Sequence, residues 1–208
     1  MELLNFKKSK KLLNKYNIPF PATKSVASEK DLKSFVNSYK FPVVLKVFSP
    51  NLLHRTEKDL IVLNINSYKT LKQEFSKLKS KISGQSLILI QKQFQGIELI
   101  LGMKKDKSFG PAILFGVGGI FVEILNDVSW GIAPLNLSEA QNMINNIKAK
   151  KILKGYRGKE KVDIKKLAQV LVNLSNLALK ENYIKEIDFN PVIASKDKCL
   201  AVDFKFLL

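Results

Sequence analysis

One cysteine, one histidine and two arginines are all that this chain of 208 residues holds of those three types. A lone Cys199 excludes an internal disulfide, and with it the stapled scaffolds of small secreted proteins. No apolar run approaches the roughly 20 residues that a membrane-spanning helix requires. The opening stretch MELLNFKKSKKLLNKYN mixes apolar residues with lysines and lacks the small-residue cleavage pattern of a signal peptide. These absences lead us to expect a cytoplasmic protein with no membrane partner. The GxxxxGK[ST] loop and a GxGxxG turn between strand and helix are also missing, so P-loop and Rossmann mechanisms have no support. Hydrolase triads are equally unsupported, because no Ser or Cys nucleophile signature is present.

Acidic residues are scarce too: 18 against 35 basic ones, a formal net charge of +17. Such an excess invites a nucleic-acid reading, but almost all of it is lysine spread along the whole chain. Base and phosphate readout favours arginine forks and aromatic platforms, whereas the aromatics here sit within apolar runs and read as core. The composition therefore argues against a specific nucleic-acid partner. It predicts a lysine-rich surface with a general attraction for anions, nucleotides and coenzyme A among them. Arg55 and Arg157 stand out by rarity; a planar, bidentate task such as phosphate binding would account for them, and so would chance.

What is present reads as alternating helices and strands. Residues 2–17 form an amphipathic helix with Leu3, Leu4, Leu12, Leu13 and Tyr16 as apolar contacts, stopped by IPFPAT. Ser28 followed by Asp31 predicts a capping box and a second helix. PVVLKVF is a buried strand and LIVLNI another, pairing back on it; SYKTLKQEFSKLKSKI is helical. The middle is strand-rich, with SLILIQKQF, IELILGMKK, PAILFGV and IFVEIL; helices are expected over 138–152 and from Asp163 onward. IKEIDFNPVIAS and CLAVDFKFL then form a hairpin around SKDK. The fold class is α+β: a smaller lobe over about 20–93 and a larger one over about 94–208.

Several polar residues sit where chemistry needs them. Lys46 interrupts the most apolar strand, and a buried ammonium wants an anion or an exit to solvent; a phosphate in a cleft and a strand edge are both open. GVGG, with Gly118 and Gly119, exposes backbone N–H groups that suit an anion, although tight turns use the same residues. Glu123 and Asp127 either orient a ligand or lie on a solvent-facing edge. EIDFNP places Glu186, Asp188 and Asn190 on one face of a strand, and Asp203 follows in the next. Carboxylate and amide oxygens converging from paired strands suit a hard cation, Mg²⁺ with nucleotide phosphates above all. His54 lies in the polar loop SPNLLHRTEKD; by itself a lone histidine reads as a surface or core hydrogen-bonder.

Taken in order, LLNKYNIPFP, FPVVLKVFSPNLLHRTE, GIELILGMKKDKSFGPAILFGVGGIFVEILNDV, LKGYRG, EIDFNPV and AVDFK resemble the ATP-grasp subunit of ADP-forming acyl-CoA synthetases, the acetate–CoA ligase (ADP-forming) β subunits. The resemblance covers nearly the whole chain. It implies an ATP-grasp fold, two α+β lobes with the nucleotide between them, and interconversion of acyl-CoA, ADP and phosphate with carboxylate, ATP and CoA. The implied cofactors are ATP/ADP and Mg²⁺; the implied partner is a CoA-binding α subunit, in a heterotetramer. By resemblance Lys46 contacts the phosphates, Gln91 and Phe94 fall in the hinge holding adenine, and Glu98 reaches the ribose. Gly118 and Gly119 line the nucleotide, Asn190 and Asp203 match Mg²⁺ ligands with Asp188 as support, and His54 relays the phosphoryl group.

Two departures from that pattern carry a second expectation. Asp59 and Leu60 replace a Gly-Gly pair, and Gly131 replaces an arginine. Side chains at 59 and 60 are expected to obstruct a phosphate-covering loop, so restoring Gly-Gly is expected to tighten ATP binding or raise turnover. The same changes suggest, as an alternative, a degenerate paralogue acting as a non-catalytic nucleotide-sensing or assembly subunit.

Overall fold

The computed structural model describes residues 2–49, 60–82, 84, 86–118, 126–155 and 161–208. The chain folds into two compact units: Pro21–Phe94, and a discontinuous one made of Met1–Phe20 with Gln95–Leu208. The first helix thus belongs with the C-terminal part of the chain.

In the contiguous unit, β1 (Thr23–Val26), β2 (Val43–Phe48), β3 (Ile61–Ile65) and β4 (Leu87–Lys92) form an antiparallel sheet in the order β1-β4-β2-β3. Helices α2 (Glu29–Tyr39) and α3 (Tyr68–Lys81) pack against it. The capping box read from the sequence is present: Ser28 Oγ accepts from Asp31 N, and the Asp31 carboxylate accepts from Ser28 N. Period-two alternation sends Val43, Leu45, Val47, Ile88 and Ile90 into one cluster with Leu32, Phe35, Leu71 and Phe75 of the helices. Each such side chain contributes about 1.5–3 kcal/mol on burial. Val44, Lys46, Leu89 and Gln91 occupy the alternate positions and so take the opposite face.

The discontinuous unit holds the second sheet. Among the described residues β5 (Ile97–Asp106), β6 (Gly110–Val117), β7 (Val128–Ile132), β8 (Glu186–Ala194) and β10 (Lys205–Leu207) run in the order β10-β8-β5-β6-β7, and β9 (Cys199–Ala201) also pairs with β8. Helix α1 (Phe6–Lys15) begins later than its apolar pattern predicts, because Asn5 caps it by accepting from Lys8 N. Leu3 and Leu4 are buried as expected, but as an extended segment: Leu4 N donates to Phe206 O, and Leu3 bridges Leu207. At the other end of α1, Lys15 Nζ and Tyr16 Oη both donate to Glu181 Oε1 at 2.7 Å. The bond from Lys15 foremost holds the buried Glu181 carboxyl below its ordinary range.

The expected helix over 138–152 is two helices, α4 (Leu137–Asn146) and α5 (Lys150–Leu153). The break is organised by Asp127, whose two carboxylate oxygens each accept at 2.7 Å, from Lys148 N and Ala149 N. These are the amides of the N-cap residue of α5 and of the residue before it. Helix α6 (Ile164–Lys180), capped by Asp163, lies against α4, β5 and β6 with Leu167, Leu171, Leu174 and Ala178 buried. The last strand of the expected hairpin is also broken, into β9 and β10, and Asp203 sits in the break. No described helix is long and apolar enough to cross a membrane.

Candidate functional site

Lys46 lies on the sheet face away from α2 and α3 in the contiguous unit and is only 5 % exposed. Its Nζ stands 3.5 Å from Gln91 Oε1. Gln91 Nε2 in turn donates to Thr23 Oγ1 at 2.9 Å, and Thr23 Oγ1 donates to Pro21 O at 2.8 Å. Register explains the grouping: Thr23 is directly opposite Gln91, Gln91 opposite Val44, and Lys46 two residues further along β2. The ammonium is therefore held beside a neutral amide oxygen, which leaves its charge uncompensated by that neighbour. Gln91, read as part of an adenine hinge, has its side chain buried in this chain of bonds.

Phe94 is half-buried at the end of this unit, and Glu98, in the other, is exposed on β5. Just before β5, a Cβ on Gly96 would stand 2.5 Å from Ala194 O, so only glycine permits that close approach to β8. Gly118 N donates to Glu98 O at 2.8 Å. That backbone bond uses the donor which the GVGG stretch was expected to offer an anion.

Beside the C-terminal polar residues the pairing of β5 with β8 carries a bulge. Leu99 pairs with Val192 and Leu101 with Phe189, so Ile100 faces two residues of β8, Asn190 and Pro191. A proline, lacking an N–H, suits such a position inside a sheet. On the other edge of β8, Pro191 O accepts from Val202 N at 3.2 Å and from Asp203 N at 3.4 Å. The register that pairs Val192 with Ala201 and Asp188 with Lys205, continued between them, sets Asn190 opposite Asp203. Asn190 is exposed, and Asp188 and Asp203 are half-buried, while the intervening Ile187 and Phe189 are buried. The expected common face exists. Asp188 has Lys205 Nζ 3.8 Å from its Oδ2, a cation already beside the carboxylate.

This oxygen set fits Mg²⁺. One amide and one or two carboxylates cannot fill an octahedron, but Mg²⁺ retains waters and takes phosphate oxygens in its remaining positions. No group of three or more His, Cys, Asp or Glu able to hold a metal occurs among the described residues. Cys199 offers no ligand: it is buried, and burial pushes its thiol up to about 12.

Two of the sequence departures have packing explanations. Leu60 is 5 % exposed and belongs to the core cluster of the contiguous unit, with its carbonyl accepting from Val47 N at 2.9 Å. Its side chain points into the core, so the expectation that it obstructs a phosphate-covering loop is corrected. Leu60→Gly is accordingly expected to lower stability by about 3 kcal/mol or more, read by urea denaturation, since Leu→Ala in a core already costs about 2–5. Unchanged stability would return Leu60 to the loop. A Cβ on Gly131 would meet Met143 Sδ at 2.6 Å and a Leu135 methyl at 2.9 Å. The side-chain direction at 131 is thus filled by α4 and the segment before it. Asp127 is likewise corrected from a ligand-orienting or edge residue to the clasp of the α4–α5 break. His54, Arg55, Asp59, Gly119, Glu123 and Arg157 lie outside the described residues.

The ATP-grasp domain model matches residues 1–208. The chain is 38% identical over 207 residues to acetate–CoA ligase [ADP-forming] I subunit beta of Pyrococcus furiosus, an alignment covering 96% of this chain and 89% of that one. The chain belongs to the ATP-grasp family of the ADP-forming acetate–CoA ligases. A second member of the family, acetate–CoA ligase [ADP-forming] I of Archaeoglobus fulgidus, is 37% identical over 91% of this chain, which spans only 28% of that longer protein. Among solved structures of the family, acetyl-coenzyme A synthetase 1 of Ca. Korarchaeum cryptofilum superposes with a TM-score of 0.86 at 33% identity, over 99% of this chain and 92% of that one. That protein was solved with coenzyme A and Mg-AMPPCP, its phosphohistidine segment pointing towards the nucleotide-binding site.

Proposed function

We propose that this chain is the nucleotide-binding β subunit of an ADP-forming acyl-CoA synthetase. It works with a CoA-binding α subunit to interconvert acyl-CoA, ADP and phosphate with carboxylate, ATP and CoA. The near-full-length relationship to the Pyrococcus furiosus β subunit carries this reading. A partner subunit follows from the same relationship and from the longer Archaeoglobus fulgidus relative, in which the matching segment is one part of a single chain. We place the assembly in the cytoplasm, as a heterotetramer.

In this reading Lys46 meets the nucleotide phosphates, while Phe94 and Glu98 contact the base and ribose. Asn190 and Asp203 hold Mg²⁺, which when bound screens the phosphate charge. His54 carries the phosphoryl group between the partner and the nucleotide. As ATP forms, the N–P bond to imidazole breaks and a bond forms from phosphorus to a terminal β-phosphate oxygen of ADP, leaving a free imidazole. The degenerate-paralogue alternative loses two of its supports, since Leu60 and Gly131 have structural roles. Purification of the chain with its native partner, followed by an assay for acyl-CoA-dependent ATP formation from ADP and phosphate, tests the proposal. Nucleotide-stabilised complexes without turnover would reinstate the alternative.

A further inference from the structure

We propose that Thr23 is a positioning residue for phosphate recognition, fixing the Lys46 ammonium through the Gln91 amide. This rests on the reading of Lys46 as the phosphate contact. Thr23, Gln91 and Lys46 come from three adjacent strands, share the face away from α2 and α3, and are 7 %, 3 % and 5 % exposed. The direction of the bonds decides the matter. A threonine hydroxyl has one hydrogen, and here it points to Pro21 O; towards Gln91 the oxygen can then only accept. The Gln91 atom facing Thr23 must therefore be the NH₂ group, and the carbonyl oxygen is left to face Lys46. The ammonium, which can only donate, requires that same orientation. Both ends of the chain thus agree on one amide rotamer.

Loss of the Thr23 hydroxyl removes one acceptor that supports this orientation. The amide would then be held from the Lys46 side alone, and its oxygen, with the ammonium beside it, would be free to shift away from the phosphate position. The amide is also the right neighbour in charge: a carboxylate at 91 would compete with phosphate for Lys46, and a neutral oxygen does not.

The test compares the parent with Thr23→Val, Thr23→Ala and Thr23→Ser, each assembled with its partner subunit, by titration with Mg-ATP and separately with adenosine, which carries no phosphate. Valine and alanine are expected to weaken Mg-ATP about tenfold, the loss of one charge-assisted hydrogen bond. Serine should match the parent, and adenosine affinity should be the same in all four. Alanine carries the test if valine disturbs packing. Parental Mg-ATP affinity in both hydroxyl-free variants overturns the positioning role alone. An equal loss of adenosine affinity assigns Thr23 to packing and also overturns it. A parent that binds adenosine and Mg-ATP equally well removes the phosphate reading of Lys46, and this inference with it.

Discussion

Replacing His54 by asparagine should abolish acyl-CoA-driven ATP synthesis in the assembled enzyme, a loss of about 10³-fold or more, as befits removal of a nucleophile. Asparagine preserves size and a hydrogen-bonding edge but accepts no phosphoryl group. A relay acts only transiently, so Mg-ADP affinity and melting temperature should scarcely change. The chemistry has no substitute within the chain, because no second histidine exists. The parent incubated with labelled ATP and Mg²⁺ should also gain an acid-labile phosphate that the variant lacks. Sustained turnover by the variant near the parental rate would show that the histidine is an ordinary loop residue.

Asp203→Ala and Asn190→Ala should each weaken Mg-nucleotide binding by about 100-fold. Partners one step removed from a metal are already worth about 10–100-fold in affinity, and these residues are proposed to touch it. Nucleotide measured without Mg²⁺ should bind both variants much as it binds the parent, which separates metal loss from general damage. Asp188→Ala should matter less, because Lys205 already stands beside that carboxylate. The fold should survive in all three, since none of the side chains is in the buried core. Calorimetry giving equal Mg-ADP affinity for parent and Asp203→Ala would remove the metal reading of the bulge.

Much of this was legible in residue patterns, because the features concerned are local. The Ser28–Asp31 capping box, the start of α6 at Asp163 and the polar face of β8 each depend on residues within a few positions of one another. Where several strands or distant segments decide, the sequence was mute or misleading. Thr23 carried no signal, since its meaning comes from pairing with Gln91, 68 residues away. Asp127 was read as an edge or ligand group because nothing local reveals amides 21 and 22 residues downstream. Leu60 opens the expected strand LIVLNI, yet its local sequence does not reveal that its side chain completes a core built mostly from other elements rather than facing a phosphate-covering loop. The expected hairpin does not show the break at Asp203, where Val202 N and Asp203 N both donate to Pro191 O of β8.

The pairing of the first residues with the last has a consequence for biosynthesis. Leu4 N donates to Phe206 O and Leu208 N to Glu2 O, so the discontinuous unit cannot close until β10 has left the ribosome. Pro21–Phe94 is contiguous, and every described residue of its core cluster lies within it. During synthesis at about 5–20 residues per second, the middle of the chain can thus fold while both flanks wait. Helix α1 remains without its Glu181 acceptor until synthesis has advanced 165 residues beyond Tyr16. Its apolar face of Phe6, Leu12 and Leu13 waits the same interval for the part of its cover that those later residues supply.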